Sequence, residues 1–117
     1  MNNEELVKYF AEVADDKKAQ DLVMLKMTGI SIMSDYFIIC HGNSEKQVQA
    51  IARALKEAAQ EKNIEVKRME GFDKARWVLV DLGDIIAHVF HKDERNYYQL
   101  EKLWGDAPVF SLEKRPL

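Results

Sequence analysis

One hundred and seventeen residues, 47% hydrophobic and 32% charged, suffice for one domain that buries roughly two thirds of its unfolded surface. Seventeen Lys plus Arg against twenty Asp plus Glu give a net charge of −3, the wrong sign for gripping nucleic acid through many phosphate contacts, and favour a basic partner. The single cysteine, Cys40, excludes an internal disulfide framework and any multi-cysteine metal site; with two acids ahead of the first apolar residue and no apolar run near ~20 residues, a cytoplasmic chain without membrane association is expected.

In chain order, the first helix is predicted over about 3–14, where Leu6, Phe10 and Val13 recur at helical spacing and Asn2 or Asn3 can cap the exposed amides. Short apolar runs at 21–27 and 35–41 read as strands. A second helix over 44–62 carries one apolar stripe of Val48, Ile51, Ala52, Leu55, Ala58 and Ala59. Ser44 followed by Gln47 fits a capping box at its start, and Asn63 can take the left-handed conformation that ends it. Ile64, Glu65, Val66 and Lys67 then alternate as a half-buried strand, and Glu70-Gly71 reads as a turn. Segments 76–82 and 85–90, separated by Gly83-Asp84, read as a tight hairpin. Asp93 can cap a last helix with apolar positions at Tyr97, Leu100, Leu103 and Trp104, stopped by Gly105. The order α-β-β-α-β-β-β-α predicts a single α/β (α+β) domain: a five-stranded mixed sheet with helices mainly on one face, since so few helices cannot hide both.

The hairpin makes that asymmetry explicit. Side chains alternate along a strand, so with either turn centre odd positions of the first strand share a face with even positions of the second. One face then carries Val78, Val80, Leu82, Ile85, Ala87 and Val89, all aliphatic and suited to packing beneath helices. The other carries Trp77, Leu79, Asp81, Asp84, Ile86, His88 and Phe90. Two readings of this second face stand side by side. Either Trp77 and Phe90 tuck under the C-terminal helix and leave only Asp81 and His88 wet, or the face is a protein-binding surface of aromatic anchors ringed by polar groups. In the second reading the acids select a basic partner.

Catalytic patterns are sparse. Gly42-Asn43-Ser44 at a strand-to-helix junction could hold an anion, yet turn and cap account for the same residues. No pair of acids at i and i+2 on a strand is available to hold Mg²⁺, and Asp81 and Asp84 flank a turn where Asp is ordinary. His88 and His91 bridge a strand end and a loop, so a zinc site would need further ligands from elsewhere; no metal or other cofactor is expected. Cys40 and His41 are adjacent on a strand and point to opposite faces, which argues against a nucleophile pair. Sequence physics alone therefore predicts a non-enzymatic binding module.

Several stretches then combine: Ser34-Asp35-Tyr36-Phe37-Ile38-Ile39-Cys40 with Gly42 and Ser44; Glu70-Gly71; Trp77-Val78-Leu79-Val80-Asp81-Leu82-Gly83-Asp84-Ile85-Ile86-Ala87-His88-Val89-Phe90; and Tyr97 or Tyr98 ahead of Leu100-Glu101-Lys102-Leu103-Trp104-Gly105-Asp106-Ala107-Pro108. Together they resemble the ribosomal silencing factor (RsfS, Iojap-like) family over nearly the whole chain. His41 and Asn43 stand where many members carry small hydroxyl residues, and 109–117 reads as a tail beyond a domain of residues 1–108. The resemblance implies a repressor of translation under nutrient limitation. It would bind ribosomal protein L-fourteen of the large subunit, block joining of the small subunit, and make no sequence-specific nucleic-acid contact. It also implies a nucleotidyltransferase-like fold without catalytic acids, and a homodimer. On this basis Trp77, Leu79, Asp81, His88 and Phe90 are expected in the partner contact, with Glu94 and Tyr98 from the adjoining helix. The rival readings are an enzyme using the Gly42–Ser44 turn and a homodimeric scaffold whose self-interface is the Trp77 face.

Overall fold

The computed structural model describes residues 2–30, 34–94 and 108–110. Helix α1 (Asn3–Asp16) starts at Asn2, whose side-chain oxygen accepts from the Glu5 amide at 2.8 Å. Asn3, the other candidate cap, instead donates its amide to Asp35 (2.8 Å) and Asp84 (3.3 Å), which fastens the helix start to two strand ends. The helix closes with a Schellman motif: the Lys18 amide reaches the Asp15 carbonyl, the Ala19 amide reaches Ala14, and Lys18 takes φ +66°.

Strands β1 (Gln20–Lys26) and β2 (Tyr36–Gly42) follow, then helix α2 (Glu45–Glu61). Ser44 Oγ accepts from the Gln47 amide at 3.1 Å, and Gln47 Oε1 accepts in return from the Asn43 amide at 2.7 Å. The other end of that same side chain donates to the Lys18 carbonyl at 2.9 Å, tying the start of α2 to the end of α1. Gly42 has a steric reason to be glycine, since a Cβ there would lie 2.9 Å from the Val48 amide nitrogen and hold the helix off the strand.

After α2 the structure departs from the expected strand at 64–67. Asn63 takes φ +58° and the Ile64 amide bonds back to the Ala59 carbonyl, so the first residues of that segment finish the helix. The strand forms four residues later, as β3 (Arg68–Glu70), where the antiparallel partner β4 (Trp77–Asp81) is available. The alternation of Ile64 and Val66 reports packing against the core, which both make, without ladder pairing. Strand β5 (Ile85–His91) completes the hairpin. Its register pairs Trp77 with Phe90, Val78 with Val89 and Val80 with Ala87, which centres the turn on Gly83-Asp84 with Gly83 at φ +89°.

Four of the five expected strands are thus present, the one expected at 64–67 is replaced by β3, and a sixth, β6 (Val109–Phe110), comes from the segment assigned to a tail and pairs with β1. The sheet order is β3-β4-β5-β2-β1-β6, with β2 and β5 parallel and every other pair antiparallel. This is a single α+β domain. The helix-side core joins Val7, Phe10, Ile51 and Leu55 to the aliphatic hairpin face, and all six residues assigned to that face lie in it. A full burial of each such Leu, Ile or Phe stabilises by about 1.5–3 kcal/mol, so this layer supplies most of the fold's driving force. Leu25, Met27, Phe37, Ile39, Ile86 and Phe90 form a second, smaller cluster on the opposite face. The C-terminal helix expected after Asp93 lies outside the described residues. Among the described residues no helix is long and apolar enough to cross a membrane.

Lys18 carries a side chain in a backbone region that costs an L-residue about 1–2 kcal/mol, against about 0.5–1 kcal/mol of extra chain entropy for glycine. Lys18→Gly is therefore expected to stabilise the protein by about 0.5–1 kcal/mol in urea titrations, and a lower transition midpoint would contradict the assigned helix end.

Candidate functional site

Register places the second face in cross-strand rows. Trp77, Phe90 and His41 lie abreast on β4, β5 and β2; Leu79, His88 and Ile39 form the next row; Asp81, Ile86 and Phe37 form the third. Trp77 is half exposed, at 50%, and is the aromatic among the exposed large apolar residues described, the others being Ile30 and Val109. Its ring stacks on Phe90, centroids 5.0 Å apart at 27°, while its indole N–H donates to His88 Nδ1 at 3.1 Å. The His88 ring in turn meets Phe37 edge-on at 4.8 Å. An indole exposes one flank while its other flank and its polar handle are fixed from below, which is how a protein holds an apolar anchor out toward water in one rotamer.

His88 and Phe90 are 5% and 4% exposed, so the structure corrects their expected role as surface contacts. They are the bed on which Trp77 rests, because the diagonal and direct cross-strand neighbours of a strand residue lie beneath its side chain. The indole N–H can only donate, so Nδ1 presents its lone pair and the proton sits on Nε2, which is buried without a partner. Burial pushes the His88 pKa down to about 4, so the imidazole is neutral at physiological pH.

Asp81 is also corrected. It was expected as an open charge beside the aromatic patch, but its side chain is only 14% exposed, lies 3.5 Å from the Arg68 guanidinium, and accepts from the Gly83 amide at 2.9 Å. Arg68 also pairs with Glu70 at 3.4 Å. Glu94 is exposed and pairs with Arg76 at 3.6 Å; Leu79 is half-buried against the second cluster; Tyr98 lies outside the described residues. Two arginines thus pair with three carboxylates along this face, Arg76 with Glu94 beside the start of β4 and Arg68 with Glu70 and Asp81 toward its far end, leaving one net negative charge.

Gly71 sets where Trp77 begins. It adopts φ +79°, and a Cβ there would sit 2.2 Å from the Trp77 carbonyl oxygen, so residues 71–76 can fold tightly against the strand start only with glycine. Gly71 was legible as a turn, whereas its packing on Trp77, and the Arg68 partner of Asp81, depend on the β3 register that local alternation misplaced. His88 and His91 alternate to opposite faces of β5. Two amides at the α2 start, of Asn43 and Gln47, are taken by the side-chain cap, and Glu45 sits in the first turn where an anion would approach, so that turn offers little to a phosphate.

Comparison with known proteins adds the family. A family model described as "Ribosomal silencing factor during starvation" matches residues 1–116. The chain is 64% identical over 113 residues to the Ribosomal silencing factor RsfS of Bacillus subtilis (strain 168), covering 97% of this chain and 96% of the relative. It is 32% identical over 102 residues to the chloroplastic protein Iojap of Arabidopsis thaliana, covering 87% of this chain and 42% of that longer protein. A crystal structure of a Bacillus halodurans protein superposes with a TM-score of 0.85 at 61% identity, covering 94% of this chain and all of that one. A Chromobacterium violaceum structure gives the same TM-score at 32% identity, over 90% and 88% of the two chains.

Two outcomes follow from the site. The His88 pKa is lowered on folding from 6.5, so the unfolded chain binds the proton more readily between pH 6.5 and 4. Stability is then full above pH 6.5 and falls by about 3 kcal/mol on acidification through that window; in His88→Phe, which cannot titrate there, the fall should shrink by that amount. Asp81→Ala is expected to cost about 1–2 kcal/mol and Asp81→Asn, which keeps an acceptor for the Gly83 amide, less than about 1 kcal/mol. Unchanged melting of both variants would return Asp81 to the role of an open surface charge.

Proposed function

This chain belongs to the ribosomal silencing factor family, and from that premise we propose that it docks through Trp77 on ribosomal protein L-fourteen of the large ribosomal subunit and blocks joining of the small subunit. The observation that carries this reading is the half-exposed indole fixed on Phe90 and hydrogen-bonded to His88, the composition and rigidity of a binding hot spot. Leu79 extends the apolar contact from the next row. Arg68, Glu70, Arg76 and Glu94 form a polar rim, and because they are paired with one another or with Asp81, they contribute register and exclusion of water more than long-range attraction. The net charge of −3 still favours encounter with a basic partner, at longer range than the local pairs.

Silencing by such a contact needs no chemical step. A ligand that binds only the free large subunit stabilises it by RT ln(1 + [L]/Kd), about 2.7 kcal/mol at a hundredfold excess over Kd, which lowers subunit joining about a hundredfold. The block is steric, reversible and graded by the abundance of the factor, as regulation in nutrient limitation requires.

Trp77→Ala should retain the far-ultraviolet circular dichroism of the parent, since half of the ring faces water, yet lose about 2–4 kcal/mol of affinity for isolated L-fourteen and for large subunits. Sucrose-gradient sedimentation with both subunits should then show joined ribosomes restored. A folded variant that still excludes the small subunit at parental concentrations would remove Trp77 from the contact.

A further inference from the structure

Around the β3 edge from the indole, on the helix side of the sheet, a cavity of about 240 Å³ lies between α2 and the turn that follows β3, lined by Arg53, Lys56, Met69 and Phe72. Arg53 and Lys56 are exposed and three residues apart on one helix face, so their charged ends reach the same mouth. The Arg53 guanidinium lies over the Phe72 ring, 5.4 Å from its centroid, and the Gln49 amide donates to the Phe72 carbonyl at 3.0 Å, which holds the aromatic turn in place against the helix. Met69 and Phe72 are half-buried and form the apolar floor. Among the described residues lining the cavity there is no carboxylate, in a chain whose acids outnumber its bases.

We infer that this cavity is a contact for single-stranded RNA, taking one unstacked base on the Phe72 and Met69 floor, with the Arg53 guanidinium leaving the Phe72 face to meet one backbone phosphate and Lys56 meeting a second. An acidic peptide would also answer the charge, but its carboxylates would leave the Phe72 ring and the Met69 thioether unused, whereas a base can stack on them. An aromatic face flanked by guanidinium and ammonium groups is the arrangement by which proteins take a base and its phosphates without reading sequence. The contact is small, consistent with a net-negative chain: two phosphates, where nucleic-acid grips usually take many. It rests on the proposed function only for the source of the RNA. On a large subunit, the Trp77 contact would raise the effective concentration of a neighbouring rRNA strand at this mouth, so a weak site suffices.

The test is fluorescence anisotropy with the full chain and a labelled mixed-sequence single-stranded RNA of about ten nucleotides. Binding is expected with Kd on the order of 100 µM at low salt, and a slope of log affinity against log salt of about −1.4, from ~0.7 per phosphate. Arg53→Ala/Lys56→Ala should weaken binding at least about tenfold and bring the slope near zero; Phe72→Leu should weaken it about tenfold with the slope kept; Trp77→Ala should leave it unchanged. No binding at low salt, indifference to the double variant, or displacement by a polyglutamate peptide as effective as by unlabelled RNA would each overturn the inference. Loss of large-subunit binding in Trp77→Ala alone tests the proposed function, so the two can fail separately.

Discussion

The stacking of Trp77 on Phe90, with the indole N–H held by His88, depends on one constraint: the β4–β5 register that sets Trp77 opposite Phe90. A slip of one residue would turn Trp77 toward the helices and leave Val78 in its place. The register is fixed at both ends. At the turn, Gly83 supplies the positive φ and Asp81 ties the Gly83 amide, while at the open end Gly71 lets residues 71–76 close on the Trp77 carbonyl. The aliphatic face pinned under α2 makes any slip costly, because it would expose Val78, Val80 and Val89 together.

The same arrangement explains why a histidine sits where an aliphatic residue would pack as well. A neutral imidazole can accept from the indole on one side and present an edge to Phe37 on the other, so it fixes the tryptophan rotamer in a way that a leucine cannot. The cost is a buried Nε2–H without a partner and a proton affinity lowered far below that of an exposed histidine. Rigidity at Trp77 is thus obtained at some expense of stability in mild acid. Ion pairs along this face leave the indole, rather than bare charge, as its dominant feature.

What was legible in the sequence follows from the range of the interactions. Strand alternation is local, and both hairpin faces emerged from it correctly; the α2 stripe, its Ser44–Gln47 cap and the Asn63 terminus are local as well. Strand pairing is not local. Ile64 and Val66 alternate like a strand, but the Ile64 amide closes the helix and β4 meets residues 68–70 instead. From that displacement the Arg68–Asp81 pair was invisible, and Asp81 was read as an open charge. Nor could parity tell a buried His88 or Phe90 from an exposed Trp77 on the same face, because burial at a strand end depends on the elements packed around it. The 109–110 strand escaped because two residues carry no periodicity.

In the proposed contact, the Trp77 indole, immobilised on Phe90 and His88, meets the ribosome. Hydroxyl-radical footprinting of the full chain, free and bound to purified large subunits, reads this contact at the residue itself. Oxidation of Trp77 is expected to fall severalfold on binding while that of exposed Ile30 stays the same. Equal oxidation of Trp77 in the free and bound states, with binding verified by co-sedimentation, would contradict it.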